Sequence, residues 1–147
     1  MTVAVVSTGG TIASTDDAGG DAAPDLGGAE LVSAVPALDD VDLRVEEFST
    51  VPSPHFTVDQ LFDLAALVDT LDTDPDVDGV VVTQGTDVLE ETAYFLDLCH
   101  GGSTPVVVTG AMRNPSLPSP DGPANLLASV RTALDPGARD RGVLVAF

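Results

Sequence analysis

Apolar residues along this chain fall into two kinds of pattern that alternate from one end to the other. Short runs rich in valine predict strands. Runs with almost no polar residue are typical of strands buried on both faces of a parallel sheet. The predicted strands lie at residues 3–7, 43–48, 79–83, 105–109 and 142–147. Segments with apolar residues every three or four positions predict helices. These lie at residues 29–35, 57–71, 89–98 and 123–134.

Regular alternation of strands and helices predicts parallel strands joined by right-handed crossovers. With 147 residues and no internal repeat, the chain fits one domain. We therefore predict a three-layer α/β sandwich, in which a doubly wound, mostly parallel sheet has helices on both faces. A segment rich in Gly, Asp and Ala, residues 14–28, is predicted to be a flexible loop.

The helix predicted at residues 57–71 carries the most detailed signals. Thr57 and Gln60 have the spacing of a capping box, in which the two side chains bond each other's backbone N–H groups. The apolar face that we predict to pack on the sheet contains Val58, Leu61, Phe62, Ala65 and Val68.

Charge is the most unusual property of the composition. The chain has 24 Asp and Glu against 5 Lys and Arg, a net charge of -19, and none of the basic residues is a lysine. Such a surface repels nucleic acid and anionic lipid, so neither is an expected partner. Its self-repulsion requires screening, which predicts adaptation to a salt-rich cytosol of the haloarchaeal kind.

The amino terminus predicts a cytoplasmic protein, whereas the single cysteine does not indicate the redox compartment. The first residues lack a basic segment, and their apolar run is far too short for a signal peptide or a membrane span. Cys99 has no second cysteine to pair with, and we predict a semi-buried structural thiol at a helix end.

Two threonine-containing turns are the strongest chemical signals. The sequence TGGTIAS at residues 8–14 follows the first predicted strand, and TQGTD at residues 83–87 follows the third. Neither is a phosphate-binding loop, because GxxxxGK[ST] is absent and the third glycine of GxGxxG is missing. Open α/β sheets bind ligands at the carboxyl ends of their strands. The hydroxyls of Thr11 and Thr86 are therefore predicted to stand at a ligand-binding edge.

Structural roles remain open for both turns when each is considered alone. A threonine in a glycine turn usually bonds nearby backbone, as Thr11 could. Asp87 and Glu90 fit an N-cap and its capping partner, although the carboxylate of Asp87 could also hold an ammonium group. His55 and His100 have no second His or Cys at metal-ligand spacing, so no metal site is predicted.

Together these segments resemble the bacterial and archaeal L-asparaginases. Residues 7–13, STGGTIA, are similar to the first signature of that family, and residues 79–98 are similar to the second signature with its helix. Residues 105–113 and 121–126 resemble its third conserved region. The resemblance spans essentially the whole chain and implies the flavodoxin-like fold of the family's N-terminal domain, with residues 1–147 as that domain.

The resemblance also implies a role for each matching residue and a hydrolase without a cofactor. Thr11 would form the acyl-enzyme with asparagine or possibly glutamine, and Thr86 would belong to a second Thr-Lys-Asp group that activates the attacking hydroxyl or water. Asp87 would bind the α-ammonium group of the substrate. Ser53, with the backbone at Pro54, would hold its α-carboxylate, and the Ala111 carbonyl would lie near the amide.

Several residues depart from the family pattern. Gln84 stands where the common motif has His, Val88 where it often has Thr, and Pro54 replaces a frequent polar residue. Residues 14–31 contain no tyrosine, although the family usually carries a catalytic one there. The family's catalytic lysine and its C-terminal domain lie beyond residue 147, and full-length members are homo-oligomers. We therefore expect weak or no activity from the chain alone.

Two alternative functions remain at this stage. One is the amidase domain of an archaeal tRNA-dependent amidotransferase subunit, although that subunit has an additional domain before the first signature. The other is a non-catalytic α/β module that binds an amino acid, which the absence of lysine favours.

Overall fold

The computed structural model describes residues 1–16 and 22–147, and a parallel sheet of five strands forms the centre of this described part. Its strands are β1 (Thr2–Gly9), β4 (Asp42–Val51), β5 (Gly79–Thr83), β6 (Val106–Thr109) and β7 (Val143–Val145). Two shorter strands, β2 (Ser14–Asp16) and β3 (Ala22–Pro24), form a separate antiparallel pair. The helices are α1 (Gly28–Ser33), α2 (Val58–Asp72), α3 (Leu89–Cys99) and α4 (Gly122–Ala133).

Both faces of the sheet are covered, because the valine-rich strands send apolar side chains alternately to each side. Val3 and Val5 belong to one buried cluster, with Leu31 of α1 and Leu126 and Val130 of α4. The opposite cluster contains Ala4 and Val6 of β1, Leu64 and Val68 of α2, and Leu96 of α3. The predicted doubly wound α/β sandwich is therefore confirmed.

The order of the strands identifies the edge where a ligand is expected. Across the sheet the order is β4-β1-β5-β6-β7, with every neighbouring pair parallel. The chain passes from β1 to one side to form β4, then crosses to the other side to form β5. Ligands of open α/β sheets bind at such a switch point, outside the carboxyl ends of the strands. Here these ends carry the two threonine turns.

Helix α2 begins as predicted but presents a different face to the sheet. Thr57 Oγ1 accepts a hydrogen bond from the Gln60 amide, and Gln60 Oε1 accepts one from the Thr57 amide, which confirms the capping box. However, Val58 and Phe62 are 65% and 59% exposed. Since α2 is apolar over a wide arc, the sheet buries Leu64, Val68 and Leu71. Of the predicted face, Val68 is therefore buried, and Ala65 packs against the same cluster. Phe62 lies at the boundary with α3, where its ring meets that of Phe95 edge-on.

Two other sequence predictions are corrected. The segment predicted as a flexible loop contains β2, β3 and the start of α1; its residues 17–21 lie outside the described residues. Strands of three residues are too short to show a period-two pattern, which is why the sequence did not reveal them. Cys99, the last residue of α3, is exposed rather than semi-buried. Within the described part of the chain, no helix has both the length and the apolarity to cross a membrane.

Candidate active site

The turns after β1 and β5 are in direct backbone contact. Gly9 and Gly10 have φ angles of +96° and +81°, a region that residues with a Cβ atom rarely adopt. A Cβ atom on Gly10 would overlap the backbone of Gly85, and one on Gly85 would overlap the side chain of Ser53. The glycines therefore allow three segments to meet, and each of Thr11 and Thr86 directly follows a contacting glycine.

Asp87 is held by Ser53 and does not cap α3. The N-cap of α3 is Val88, and no side chain caps the helix, so the predicted capping pair of Asp87 and Glu90 is wrong. A tight turn, closed by a hydrogen bond from the Val88 amide to the Gly85 carbonyl, delays the start of the helix by one residue. Asp87 Oδ2 instead accepts a hydrogen bond of 2.7 Å from Ser53 Oγ, which is buried where β4 ends.

A small cleft open to solvent lies between these segments, with a cavity volume of about 120 Å³. Four of the six predicted site residues are in its lining, whereas Thr86 and Ala111 are not. The lining residues are Gly10, Thr11, Ser14, Pro52, Ser53, Pro54 and Asp87.

Serine hydroxyl groups around the cleft hold its walls in place. Ser14 Oγ donates to the Gly10 carbonyl at 2.9 Å, and Ser49 Oγ donates to the Thr8 carbonyl at 2.8 Å. Both bonds hold the glycine turn that leads to Thr11. Ser14 lies close to Gly10 in the chain, on β2, whereas Ser49 lies far from Thr8 in the chain, on β4.

Ala111 lies on a third turn, after β6, and Asp121 organises that turn. Ala111 is fully buried, while Asp121 accepts hydrogen bonds from the Met112 and Arg113 amides at 2.9 and 2.8 Å. Asn125 Nδ2 contacts both the Asp121 carboxylate and the Gly110 carbonyl. Partial burial acts to raise the pKa of Asp121, but these hydrogen bonds outweigh it, so its pKa lies below the usual value. Sequence analysis assigned no role to Asp121, although its DGPAN segment was the available signal.

The cleft offers one negative charge and hydrogen-bonding groups. Of the described residues that line it, only Asp87 carries a charge, and it is exposed. An ammonium group is therefore the cation that fits, while an anionic group would have to rely on hydroxyls and backbone N–H donors. Pro54 has no N–H, so its backbone can offer only a carbonyl oxygen. No cluster of three or more His, Cys, Asp or Glu that could hold a metal occurs among the described residues.

Comparisons with known proteins give one consistent result. Residues 2–147 match the family model described as Asparaginase, N-terminal. The chain is 41% identical over 146 residues to an L-asparaginase of Bacillus licheniformis, covering 99% of this chain and 45% of the relative. It is 40% identical over 150 residues to a glutaminase-asparaginase of Pseudomonas aeruginosa, covering 99% of this chain and 41% of the relative.

Among solved structures, a probable cytoplasmic L-asparaginase from Campylobacter jejuni superimposes with a TM-score of 0.88 at 36% identity. That match covers 99% of this chain and 43% of the other. The chain thus spans less than half the length of these relatives.

Proposed function

This chain belongs to the asparaginase family, whose N-terminal model its residues 2–147 match. We propose that it supplies the nucleophile of an L-asparaginase and the residues that hold the α-ammonium and α-carboxylate groups of the substrate, here called the amino-acid clamp. The observation that carries the proposal is the cleft at the switch point of the sheet, which Thr11, Ser53 and Asp87 line together. A hydroxyl, a carboxylate and a second hydroxyl around one small cleft suit a substrate with an amide and an α-ammonium group.

Thr11 is the nucleophile of the proposed reaction. Its Oγ1 attacks the side-chain amide carbon of asparagine and loses its proton, and backbone N–H groups of the adjoining glycine turn stabilise the oxyanion. The carbon–nitrogen bond then breaks, and ammonia leaves with the transferred proton. Water next adds to the resulting ester, the bond to Thr11 Oγ1 breaks, and aspartate is released while Thr11 regains its proton.

Recognition of the amino-acid end falls to the second turn. Asp87 takes the α-ammonium group, and its carboxylate is available because it does not cap α3. Ser53 Oγ, which donates to Asp87 in the structure, can rotate to donate to the α-carboxylate of the substrate. Pro54 would contribute a carbonyl and an apolar ring to the cleft. We also assign Thr86 to activation of the attacking hydroxyl or water and the Ala111 carbonyl to the substrate amide, although neither residue lines the cleft. The name of the Pseudomonas relative makes glutamine a second candidate substrate.

The chain lacks one component of efficient catalysis, because no lysine is present to assist proton removal. General-base assistance contributes about 10²–10⁴-fold to such reactions. We therefore propose that the 147 residues form the N-terminal domain of an enzyme of the relatives' length. A second domain and a neighbouring subunit of a homo-oligomer would complete the site, and the chain alone would be weakly active.

We place this enzyme in a salt-rich cytoplasm. The net charge of -19 and the absence of lysine support adaptation to salt, and the related Campylobacter structure is of a probable cytoplasmic L-asparaginase. The relatives named above are asparaginases and glutaminase-asparaginases, so neither the amidotransferase nor the non-catalytic module receives support from them.

Ammonia release from L-asparagine in concentrated KCl tests the proposal. The chain alone should release little ammonia, and a fusion to the C-terminal part of the Bacillus licheniformis enzyme should release much more. In that fusion Thr11→Ala should abolish turnover, while Thr70→Ala, at an exposed threonine of α2, should preserve it. Turnover that survives Thr11→Ala would refute the role of Thr11.

A further inference from the structure

Gln84 is a buried polar residue at the centre of the candidate site, and the proposed reaction does not use it. It directly follows β5, and its side chain is fully buried. Burying an amide is unfavourable by several kcal/mol in an apolar environment unless its hydrogen-bonding groups find partners. The amide of Gln84 finds partners in three different segments of the chain.

The acceptor side of the amide joins the two turns. Gln84 Oε1 lies 2.9 Å from Thr8 Oγ1, in the turn that leads to Thr11, and 2.9 Å from the Gly85 amide, in the turn that leads to Asp87. The Gly85 N–H must point at an acceptor, so it determines which end of the Gln84 amide is the oxygen.

The donor side joins the same amide to the helix. Gln84 Nε2 donates to Thr92 Oγ1 of α3 at 3.1 Å, and Thr92 is fully buried. On the other side of the network, Thr8 Oγ1 also lies 2.6 Å from the Thr83 carbonyl. A hydroxyl has one proton, so the Thr83 carbonyl and Gln84 Oε1 share the proton of Thr8.

We propose that Gln84 is a positioning residue: one buried, uncharged amide joins the turn of Thr11, the turn of Asp87 and α3, and so sets the spacing between nucleophile and clamp. Both turns already touch at Gly10 and Gly85, but van der Waals contact alone permits sliding. The hydrogen bonds of Gln84 remove that freedom. The amide has no proton to gain or lose near neutral pH, so its own hydrogen bonds do not change with pH.

The catalytic consequence rests on the proposed amidohydrolase function, but the positioning itself can be measured without turnover. Gln84→Met keeps the length of the side chain and removes its hydrogen bonds. Gln84→Glu keeps the shape and the acceptor oxygen; its protonated form can donate to Thr92, and its ionised form cannot. Gln60→Met is the matched control, because Gln60 makes local bonds at the start of α2, on the surface.

The experiment is an amide NMR study of the 147-residue chain and these variants in concentrated KCl, with and without L-aspartate. In Gln84→Met, exchange of the Gly85 amide should accelerate about tenfold, and the amide signals of residues 8–11 should shift although the substitution lies in the turn after a different strand. Affinity for L-aspartate should fall about tenfold. Gln84→Glu should bind close to wild type at low pH and more weakly as pH rises, relative to wild type at each pH.

The outcomes separate the two proposals. If the wild-type chain does not bind L-aspartate, the amino-acid clamp fails for this chain, and Gly85 exchange with the shifts of residues 8–11 still decides the role of Gln84. Should Gln84→Met leave those shifts or the affinity unchanged, or should Gln60→Met change them equally, Gln84 is not a positioning residue. If Gln84→Met does not fold, the pH profile of Gln84→Glu gives the decision, and a flat profile overturns the proposal.

Discussion

At the carboxyl end of the sheet, polar side chains lie on both faces, but only one face has them hydrogen-bonded to one another. Toward α2 and α3, the side chains of Thr8, Gln84 and Thr92 are buried and hydrogen-bonded to one another. Toward α1 and α4, Ser7, Thr83 and Thr109 stand side by side on neighbouring strands. Each of these three hydroxyls is buried, and none has a hydrogen-bond partner in the described structure.

The hydrogen-bonded groups join different segments of the chain, whereas the unbonded hydroxyls only lower the stability of the fold. A satisfied buried hydrogen bond contributes about 0.5–1.5 kcal/mol, whereas an unsatisfied buried group costs about 1–3 kcal/mol. The bonded group connects the turn of Thr11 to the turn of Asp87. The hydroxyls of Ser7, Thr83 and Thr109 join no segments of the chain. We therefore expect the same substitution, threonine to valine, to act in opposite directions on the two faces.

Salt should produce the largest effect, and it should act on both faces equally because the charges lie at the surface. The Debye length falls from about 10 Å at 0.1 M to about 3 Å at 1 M, which screens the repulsion from a net charge of -19. Thermal unfolding followed by circular dichroism across a KCl series should show a large rise in melting temperature. Equal stability in dilute buffer and in concentrated KCl would contradict the halophilic interpretation.

Thr92→Val should give the next largest effect, a loss of about 1–3 kcal/mol in the free energy of unfolding. The substitution preserves shape but leaves Gln84 Nε2 buried without an acceptor. Chemical denaturation in concentrated KCl measures it, with Thr70→Val at the exposed α2 position as the control. A loss no larger than that of the control would show that the bonded network does not stabilise the fold.

Thr83→Val, on the other face, should be neutral or stabilising by up to about 1 kcal/mol, because it replaces an unpartnered buried hydroxyl with a methyl group. The same denaturation measurement applies, and Thr109→Val should behave in the same way. A clear destabilisation by both variants would mean that these hydroxyls have partners, and the contrast between the faces would be lost.

The smallest effect is expected at Asp121, which lies on the α4 side but, unlike the three hydroxyls, has hydrogen-bond partners. Because its folded-state pKa is lowered, Asp121 adds stability above the unfolded-state pKa and loses this contribution as pH falls through the folded-state value. Asp121→Asn should therefore be less stable than wild type near neutral pH, and the difference should shrink in acid. Denaturation midpoints between neutral and acid pH measure it, and a difference independent of pH would contradict this role.

Local sequence signals were sufficient to predict the parallel sheet and the turns at its carboxyl end. The valine runs at residues 79–83 and 105–109 favour a doubly buried strand, and their alternation with helices predicts the parallel sheet. The glycine turns then place Thr11 and Thr86 after strand ends. These features depend on neighbours along the chain, so sequence patterns contain them.

Partners far apart in the chain were not predictable in the same way. Asp87 and Glu90 have good capping spacing, yet the position of Ser53, 34 residues earlier, gives Asp87 another partner. Gln84 and Thr8 are 76 residues apart, and nothing local shows that they meet. For α2, either of two apolar stripes could face the sheet, and packing against α3 decided between them.

An NMR titration of the isotopically labelled chain with L-asparagine tests whether the turns of Thr11 and Asp87 form one amino-acid site. In concentrated KCl the amides near Thr11 and those near Asp87 should shift together and give a single dissociation constant. Asp87→Ala should abolish both responses, and Asp59→Ala, on the surface of α2, should leave them intact. Two turns that respond at different concentrations, or a response that survives Asp87→Ala, would contradict the account.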